Sequence, residues 1–336
     1  MSAIRILGTG SYLPEKILAN ADFEAMGLET SNEWIVDRTG IRERRVAEPG
    51  STASDLALEA SRRALDMAGL SVKDLDMIIL ATITPDTCCP SGANWLQAKL
   101  DAPQAVSFDV TAACSGFIFG LNVAEQFLKN RTCAKVLVAG SEIMTRTVNW
   151  QDRSSCILWG DGAGAAVLGV GEGGPSLLST HIHTDGANGQ NLLMPGGGSR
   201  TTPICHESVD AGLHYLQMIE ANMSFKVAVR YFIESAREAA EHNGLDVRDI
   251  DWFIPHQANL RMFQSMAKRL KVPLERFYLT LEKYGNISSA SCAIALDEAV
   301  RDGSITPGDV ICLPVFGGGL TWGSALIRWE EIGSEE

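Results

Sequence analysis

An internal repeat constrains the fold of this chain more than any other feature of its sequence. Residues 62–78 (RRALDMAGLSVKDLDMI) align without a gap with residues 237–253 (REAAEHNGLDVRDIDWF), 175 positions later. Seven of the seventeen aligned positions are identical, and both segments read as a helix, a glycine stop, a short connection and a strand. Near the same spacing, the strand-like residues 135–140 match 309–314. The helix after Cys114 matches the one after Ser288 near this spacing as well, and three ordered correspondences of this kind predict two similar halves.

The division into halves indicates a fold class. We place the halves at residues 1–174 and 175–336, because the segment before Pro175 is rich in glycine. Apolar strand-like segments such as 77–82 alternate with helical ones such as 53–68. This alternation is typical of an α/β protein whose sheets are covered by helices on both faces, and we expect mostly parallel strands.

Cys114 occupies a junction between a strand and a helix. Residues 105–110 are short, apolar and β-prone, and residues 115–129 are helical and apolar nearly all round, which indicates an interior helix. A thiol at the start of a helix is stabilised as a thiolate by unpaired N–H groups and by the helix dipole. Burial acts in the opposite direction, and the alternative is that Cys114 is simply a small buried hydrophobic residue.

The second half offers three further candidate groups. His256 follows a short strand, and its alternative role is that of a structural histidine. The repeat aligns Ser288 with Cys114, so Asn286 lies beside the equivalent helix start unless it only caps a turn. Gly317–Gly319 follow a buried strand and can form a nest of N–H groups for an anion, or only a flexible turn.

These four features occupy equivalent positions in the predicted fold. Each falls where a strand ends and a loop or helix begins, and the pseudo-symmetry brings equivalent strand ends of the two halves together. A cysteine nucleophile, a histidine, an asparagine and a cradle of N–H groups are what acyl transfer through a thioester requires. The sequence therefore predicts one acyl-transfer site shared by both halves.

Bulk properties exclude several other classes of function. The formal charge of −13 over 336 residues argues against nucleic acid or an anionic membrane as the main partner. The eight cysteines form no C-x-x-C pair and have no metal-ligand spacing with histidine, so we expect no metal site. No apolar run reaches the length of a membrane span, and the amino terminus has no signal-peptide pattern. We expect a reduced, soluble, cytoplasmic protein.

The motifs taken together resemble those of the β-ketoacyl-acyl-carrier-protein synthase III family, condensing enzymes with the thiolase fold. The resemblance spans essentially the whole chain. It implies two pseudo-symmetric βαβαβαββ halves in a layered αβαβα sandwich. The segments that carry it are 31–41 (SNEWIVDRTGI), 112–117 (AACSGF), 160–164 (GDGAG), 255–259 (PHQAN), Gly285-Asn286 and 317–323 (GGGLTWG).

The resemblance also implies a reaction and its residues. Cys114, His256 and Asn286 would form a catalytic triad, with the oxyanion held by the N–H groups of Cys114 and Gly318. Cys114 would take an acyl group from acyl-coenzyme A, with acetyl-coenzyme A as the expected starter, and condense it with malonyl-acyl-carrier protein. Coenzyme A is a substrate here, so no cofactor is implied, and a homodimer is expected from the family.

Further contacts follow from the same resemblance. Residues expected to bind coenzyme A are Trp34, Arg38, Arg153, Asn222, Phe225, Ala258 and Asn259. Residues expected to meet the carrier protein, on a helix whose basic face contrasts with the acidic chain, are Gln257, Ala258, Asn259, Leu260, Arg261, Lys268 and Arg269. The acyl pocket is expected to include Cys89 and Trp159. A small residue at Cys89, where the family often has a bulky one, leaves the starter's length and branching open.

Two other functions stay open. The first is a related condensing enzyme, such as a starter-unit or quinolone-type ketosynthase of secondary metabolism. The second is a non-catalytic partner subunit like the chain-length factors of polyketide systems, but those lack the nucleophile that Cys114 supplies. A degradative thiolase is disfavoured because the triple glycine replaces its second cysteine. An elongating synthase is disfavoured because it has a second histidine where this chain has Asn286.

Overall fold

The computed structural model describes residues 3–171, 174–199, 204–219 and 221–330. The strands are β1 (Ala3–Tyr12), β2 (Ile17–Ala19), β3 (Glu43–Arg45), β4 (Met77–Ala81), β5 (Val106–Val110), β6 (Lys135–Ile143), β7 (Asp161–Gly171), β8 (Ser176–Thr184), β9 (Leu192–Leu193), β10 (Gln217–Met218), β11 (Trp252–Phe253), β12 (Val310–Gly317) and β13 (Thr321–Arg328). The α-helices are α1 (Asn20–Ala25), α2 (Asn32–Thr39), α3 (Ala53–Ala68), α4 (Gly92–Leu100), α5 (Gly116–Lys129), α6 (Arg153–Cys156), α7 (His206–Asp210), α8 (Ala221–His242), α9 (Leu260–Leu270), α10 (Leu281–Tyr284) and α11 (Ser291–Arg301).

Nine strands form one hydrogen-bonded series in the order β11-β12-β13-β8-β1-β7-β6-β4-β5. The expectation of mostly parallel strands is wrong. Only β4 with β5, β4 with β6 and β11 with β12 pair in parallel, whereas the remaining pairs are antiparallel. The reason is that β12 returns directly into β13 through the glycine turn, and β7 runs back along both β6 and β1.

The strands of the two halves meet at a weak seam. Strands β1, β7, β6, β4 and β5 come from the first half, and β8, β13, β12 and β11 come from the second. The seam is the pair Arg5 and Ser176, supported by the N–H of Ile6 donating to the carbonyl of Pro175 at 2.9 Å. The assignment of residues 1–174 and 175–336 as separate domains stays a prediction.

The three largest apolar cores lie between the five layers of the molecule. Helices α3 and α4 pack on the outer face of the first-half strands, and α8 and α9 pack on the outer face of the second-half strands. Between the two groups of strands lie α5 and α11, whose apolar side chains join a third core with residues such as Ile79, Val138 and Leu313. The prediction that the helix after Cys114 is an interior one is therefore confirmed.

The repeat is visible as matched local structure at a spacing of 175. Gly69 and Gly244 both have left-handed backbones, with φ of 65° and 70°. Asp76 accepts a hydrogen bond from the N–H of Lys135 at 2.9 Å, and Asp251 accepts one from the N–H of Val310 at 2.8 Å. Each aspartate thus ties the start of β4 or β11 to the start of the neighbouring β6 or β12.

The glycine-rich residues 181–215 predict an irregular insertion, but the insertion is shorter than that range. Strand β8 continues to Thr184, so His181 and His183 lie on a regular strand. After β8 come a turn, the short pair β9–β10 and helix α7. The alternation of β8 was not recognised in the sequence because both of its faces are partly covered, by α5 on one side and α8 on the other.

Candidate active site

An apolar cavity lies where strand ends of the two halves meet. It has a volume of about 330 Å³. Cys114, His256 and Asn286 all line it, together with Gly317 and Gly318. The structure therefore brings the sequence-predicted residues into one site.

Cys114 lies in a tight turn, residues 113–115, between β5 and α5. Ala113 has a left-handed backbone, φ 46°, which re-aims the chain so that the thiol sits at the start of the buried helix. The side chain is 6% exposed. Burial raises the pKa of the Cys114 thiol to about 12, with the nearby hydroxyl of Ser288 acting in the opposite direction. The thiol is therefore protonated at neutral pH, and the helix start alone does not ionise it.

The structural counterpart of Cys114 is Ser289, and the alignment of Ser288 with Cys114 is wrong by one residue. Ser288 has the same left-handed φ of 46° as Ala113. The turns at residues 113–115 and 288–290 then lead into α5 and α11. The equivalence is Ala113 with Ser288, which sets Cys114 opposite Ser289 at the same spacing of 175.

His256 is fixed by its backbone and kept neutral by burial. Its N–H donates to the carbonyl of Pro314 at 3.0 Å, which attaches the residue to β12. Burial lowers the pKa of His256 to about 3, and the backbone of Ser288 acts in the opposite direction. Its buried Nδ1 has no hydrogen-bond partner among the residues that the structure describes. A neutral imidazole can accept a proton at one ring nitrogen and donate one from the other.

Asn286 is held on three sides. Its N–H donates to the carbonyl of Leu158 at 2.8 Å, and its own carbonyl accepts from the N–H of Gly160 at 3.0 Å. Its side-chain Oδ1 accepts from the N–H of Ser288 at 2.8 Å. Because this bond occupies the oxygen, the Nδ2 amide is the group left to face the cavity, where it can donate.

The glycine turn packs directly against the nucleophile. A Cβ atom on Gly317 would lie 2.8 Å from the backbone nitrogen of Cys114, so only glycine permits this approach. The hydroxyl of Thr321 donates to the carbonyl of Ala112 at 3.0 Å and joins the turn to the same segment. Gly318 forms part of the cavity wall beside Cys114.

One mouth of the cavity holds the residues that we expect to contact the adenine of coenzyme A. The guanidinium carbons of Arg38 and Arg153 lie 4.4 and 4.9 Å from the ring centroid of Trp34. Arg153 also donates to the carbonyl of Glu29. An adenine stacked between Trp34 and Arg153 would therefore have to displace Arg153 from the indole.

The residues expected along the pantetheine arm occupy the wall between Trp34 and Cys114. Phe225, Ala258 and Asn259 all line the cavity. The Asn259 side chain donates to the carbonyl of Arg38 at 2.9 Å and caps α9. The side chain of Asn222, at the start of α8, lies outside the described residues.

The residues expected to meet a carrier protein divide into two groups. Gln257 is 1% exposed, and its side chain bonds to the carbonyl of Pro255 and the N–H of Thr280, so it supports the segment from within, and its contact with a carrier protein stays a prediction. Leu260 packs on Gly40. The guanidinium of Arg261 is exposed and pairs with Asp37 at 2.7 Å. Lys268 and Arg269 are exposed on the last turn of α9.

The two residues expected in the acyl pocket lie in different places. Trp159 is buried and lines the cavity. Cys89 is exposed on the loop between β4 and α4 and does not line the cavity of this chain, and its place in an acyl pocket stays a prediction. The loop runs outward after Thr84, because Thr82 and Thr84 are fastened to Glu142 at the end of β6.

Sequence reasoning missed several apolar walls of the cavity. Leu192 on β9 and Met218 on β10 cover it from the insertion, and Ile157, Leu158 and Leu320 complete the wall. Strands of two residues carry no recognisable alternation. A lone apolar pair inside a glycine-rich insertion was the one available signal.

Among the described residues, no cluster of three or more His, Cys, Asp or Glu side chains has a geometry suited to a metal ion. Within the same part of the chain, no helix combines the length and the apolar character needed to cross a membrane.

Comparisons with known proteins agree with the geometry. Family models described as 3-oxoacyl-[acyl-carrier-protein] synthase III match residues 108–186, and models of its C-terminal part match residues 240–329. A β-ketoacyl-[acyl-carrier-protein] synthase III of Caldanaerobacter subterraneus is 51% identical over 98% of both chains.

Solved structures give the same result. The crystal structure of 3-oxoacyl-[acyl-carrier-protein] synthase III from Aquifex aeolicus is similar, with a TM-score of 0.89 and 41% identity over 97% of this chain and 100% of the other. A priming β-ketosynthase of a polyketide biosynthetic pathway is similar, with a TM-score of 0.88 and 35% identity over 98% of this chain and 97% of the other. The thiolase-like layered fold predicted from the sequence is confirmed.

Proposed function

Because this chain belongs to the 3-oxoacyl-[acyl-carrier-protein] synthase III family, we propose that it joins a short acyl group to a malonyl unit through an acyl-Cys114 intermediate. The family is one of acyltransferase-type condensing enzymes that begin fatty acid synthesis. The donor of the acyl group is acyl-coenzyme A, with acetyl-coenzyme A as the starter. The acceptor is malonyl-acyl-carrier protein, and the products are 3-oxoacyl-carrier protein, free coenzyme A and carbon dioxide.

The first stage is transfer of the acyl group to the protein. Cys114 attacks the thioester carbonyl, and its proton moves to neutral His256, because the thiol does not ionise by itself at neutral pH. The oxyanion that develops is held by the N–H groups of Cys114 and Gly318. As the intermediate collapses, His256 returns the proton to the sulfur of departing coenzyme A.

The second stage is condensation. His256 and Asn286 donate hydrogen bonds to the thioester oxygen of the malonyl unit, and the electrons of the breaking C–C bond form an enolate as carbon dioxide leaves. The enolate carbon attacks acyl-Cys114 and releases the Cys114 thiolate, which takes up a proton from solvent. Both donors suit this step because neutral His256 stabilises the enolate oxygen without being an acid strong enough to protonate the carbon. The sequence of steps is balanced without a cofactor.

One observation carries this proposal: a nucleophile, two neutral donors and a glycine turn line a single apolar cavity. The experiment is a mass-spectrometric search for acyl adducts after mixing the protein with acetyl, longer straight-chain and branched acyl-coenzyme A. We expect an acetyl adduct on Cys114 and none in C114A. Absence of an adduct with every donor would contradict the proposal.

The same experiment separates a second candidate. Similarity to a priming β-ketosynthase of a polyketide biosynthetic pathway favours, as an alternative, a starter-unit ketosynthase of secondary metabolism, whose acyl donor is open. Faster acylation by a longer or branched donor than by acetyl-coenzyme A would select that alternative.

The exposed basic end of α9 supports docking of an acidic carrier protein. Lys268 and Arg269 are exposed there, on a chain with a formal charge of −13. We expect K268E/R269E to slow condensation with malonyl-carrier protein about tenfold or more while acylation by acyl-coenzyme A stays within about twofold. The matched control is K73E/R131E, which makes the same charge change at exposed positions of the first half. Equal loss in both half-reactions would contradict docking at α9.

An open sheet edge supports a homodimer. Strand β5 ends the nine-stranded series, and no strand of the described residues pairs with its outer side. Val106 on that strand is 60% exposed, and Trp95 on the neighbouring α4 is 39% exposed. A second copy could continue the sheet there and cover both side chains. The mass in solution, measured by sedimentation equilibrium, is expected to be that of two chains.

A further inference from the structure

Glu142 is a fully buried carboxyl group near Cys114 that the proposed reaction does not use. It lies near the end of β6 and forms no ion pair with any described residue. A buried carboxylate without a cation is costly unless hydrogen bonds replace the water it has lost or a proton neutralises it. The hydrogen-bond donors around Glu142 show whether it is a hydrogen-bonded carboxylate or a neutral, protonated acid.

One oxygen of Glu142 accepts only. The hydroxyl of Thr84 is 2.7 Å from Oε2 and already accepts from the N–H of Ile143, so its hydrogen points to Glu142. The hydroxyl of Thr82 is 3.2 Å from Oε2 and accepts from the N–H of Thr84. The N–H of Ile83 adds a third donor, which is 3.1 Å from Oε2 and 3.3 Å from Oε1. Oε2 therefore has no room for a proton of its own.

The other oxygen, Oε1, lies beside the hydroxyl of Ser289, which has two acceptors within reach and only one hydrogen to donate. Ser289 Oγ lies 2.8 Å from Glu142 Oε1 and 2.8 Å from the carbonyl oxygen of Ala81. A serine hydroxyl has one hydrogen and cannot donate to both acceptors. If Oε1 carries a proton, Glu142 donates to Ser289, Ser289 donates to Ala81, and each short contact contains one hydrogen.

The segment that Glu142 holds also carries the catalytic amide. Residues 286–289 place Asn286 in the cavity, with its Oδ1 bonded to the N–H of Ser288. The buried hydroxyl of Ser288 has no well-aligned partner among the described residues, and it lies close enough to Cys114 and Glu142 to lower the pKa of both groups. The anchor at Ser289 therefore fixes the groups on either side of the thiol.

We propose that Glu142 is held as a neutral carboxylic acid and acts as a positioning residue, fixing residues 286–289 against Cys114 without placing a negative charge beside the thiol. Its effect on condensation rests on the proposed function, whereas its protonation state does not. Burial raises the pKa of Glu142 despite the opposing hydrogen bonds of Thr84 and Ser289, in agreement with the count of hydrogens.

A neutral Glu142 adds no negative charge that would raise the pKa of the Cys114 thiol. Of the groups facing Glu142, those at residues 82–84 and 288–289 are uncharged, and Cys114 is the titratable one, facing it from the start of α5. A charged Glu142 would raise the pKa of Cys114 further, because two negative charges would then lie close together in a buried site. The neutral acid supplies the hydrogen bonds of a carboxyl group without that cost.

Infrared spectroscopy tests the protonation state directly. We expect the wild-type protein at pH 7 to show the carbonyl band of a protonated carboxylic acid, absent from E142Q and shifted in S289A, which removes the acceptor of the proton. D161N is the matched control, because Asp161 is equally buried but accepts from the N–H groups of Ala47 and Thr145 and the hydroxyl of Thr145. No band in the wild type, or a band that persists in E142Q, would overturn the proposal.

Thiol chemistry supplies a second measurement that does not depend on acyl transfer. Alkylation of Cys114 is expected to show the same pH profile in E142Q as in the wild type, because neither side chain is charged. A profile displaced to lower pH in E142Q would show that the native carboxyl is ionised. For condensation, we expect E142A to lose about tenfold or more and E142Q to recover most of that loss, since an amide repeats the donor and acceptors of a neutral acid. Equal loss in both variants would contradict the positioning role.

Discussion

Each half of the molecule contains a buried helix that begins with the same backbone turn. The residue after the turn is the proposed nucleophile in the first half and a hydrogen-bonded serine in the second. In the first half, Ala113 adopts a left-handed φ of 46° and is followed by Cys114 and α5. In the second half, Ser288 adopts the same φ and is followed by Ser289 and α11. Both helices are interior, so the dipole and the burial are alike. The backbone therefore supplies two equivalent sites, and the neighbouring side chains decide which of them reacts.

The deciding difference lies at the end of the adjacent strand. Gly317 on β12 and Glu142 on β6 occupy equivalent positions, 175 residues apart. Gly317 approaches the backbone nitrogen of Cys114 and has no side chain, so a cavity remains in front of the thiol. Glu142 fills the equivalent space in front of Ser289 and bonds to its hydroxyl at 2.8 Å. One helix start is left open for substrate, and the other is closed by a carboxyl group.

Exchanging the nucleophile between the two helix starts should have the largest effect. We expect C114A to lose more than about a thousandfold in condensation, since the acyl group has no other acceptor. The double variant C114A/S289C should remain equally inactive and form no acyl adduct, because position 289 does not face the cavity. Condensation rates and adduct mass measure both results. An adduct on the new cysteine would show that the second helix start is accessible after all.

Adding a side chain at the open position should have the next largest effect. A Cβ on Gly317 would lie 2.8 Å from the nitrogen of Cys114, so G317A must displace the nucleophile or the turn. Because small misplacements of reacting groups are costly, we expect acylation to slow about a hundredfold while the fold is retained. Stopped-flow acylation and circular dichroism measure the two properties.

Gly171 provides the control for that substitution. It also lies at the end of a strand, but a Cβ there would meet no atom of the described residues within 4 Å. G171A should acylate at the wild-type rate. Equal rates in G317A and the wild type would mean that the turn does not position Cys114.

The two helix starts also show which features of the fold can be predicted from the sequence. The repeat, the strand ends and the helix after Cys114 could be predicted because each has a local pattern of apolar residues and glycine. The alignment of Ser288 with Cys114 was wrong by one residue because the segment from Ile287 to Ser291 consists mostly of small residues that fit the turn in either register. The left-handed φ at Ala113 and Ser288 resolves the register, and no residue type at those positions signals it.

Groups assembled from distant segments could not be predicted. The partners of Glu142 come from the loop after β4 and from the start of α11, more than fifty residues away in both directions. The walls formed by Leu192 and Met218 depend on two strands of two residues each. The outward direction of the loop that carries Cys89 depends on the same Glu142 contacts.

The smallest expected effect concerns the backbone that the two sites share. A left-handed backbone costs a residue with a side chain about 1–2 kcal/mol, and glycine avoids that cost but loses more entropy on folding. We therefore expect A113G and S288G each to raise the free energy of unfolding by up to about 1 kcal/mol, as measured by urea denaturation. S288G should gain slightly more, because it also removes a buried hydroxyl that has no well-aligned partner among the described residues. Destabilisation by A113G alone would show that the two turns are not equivalent and that Ala113 has contacts which its partner position lacks.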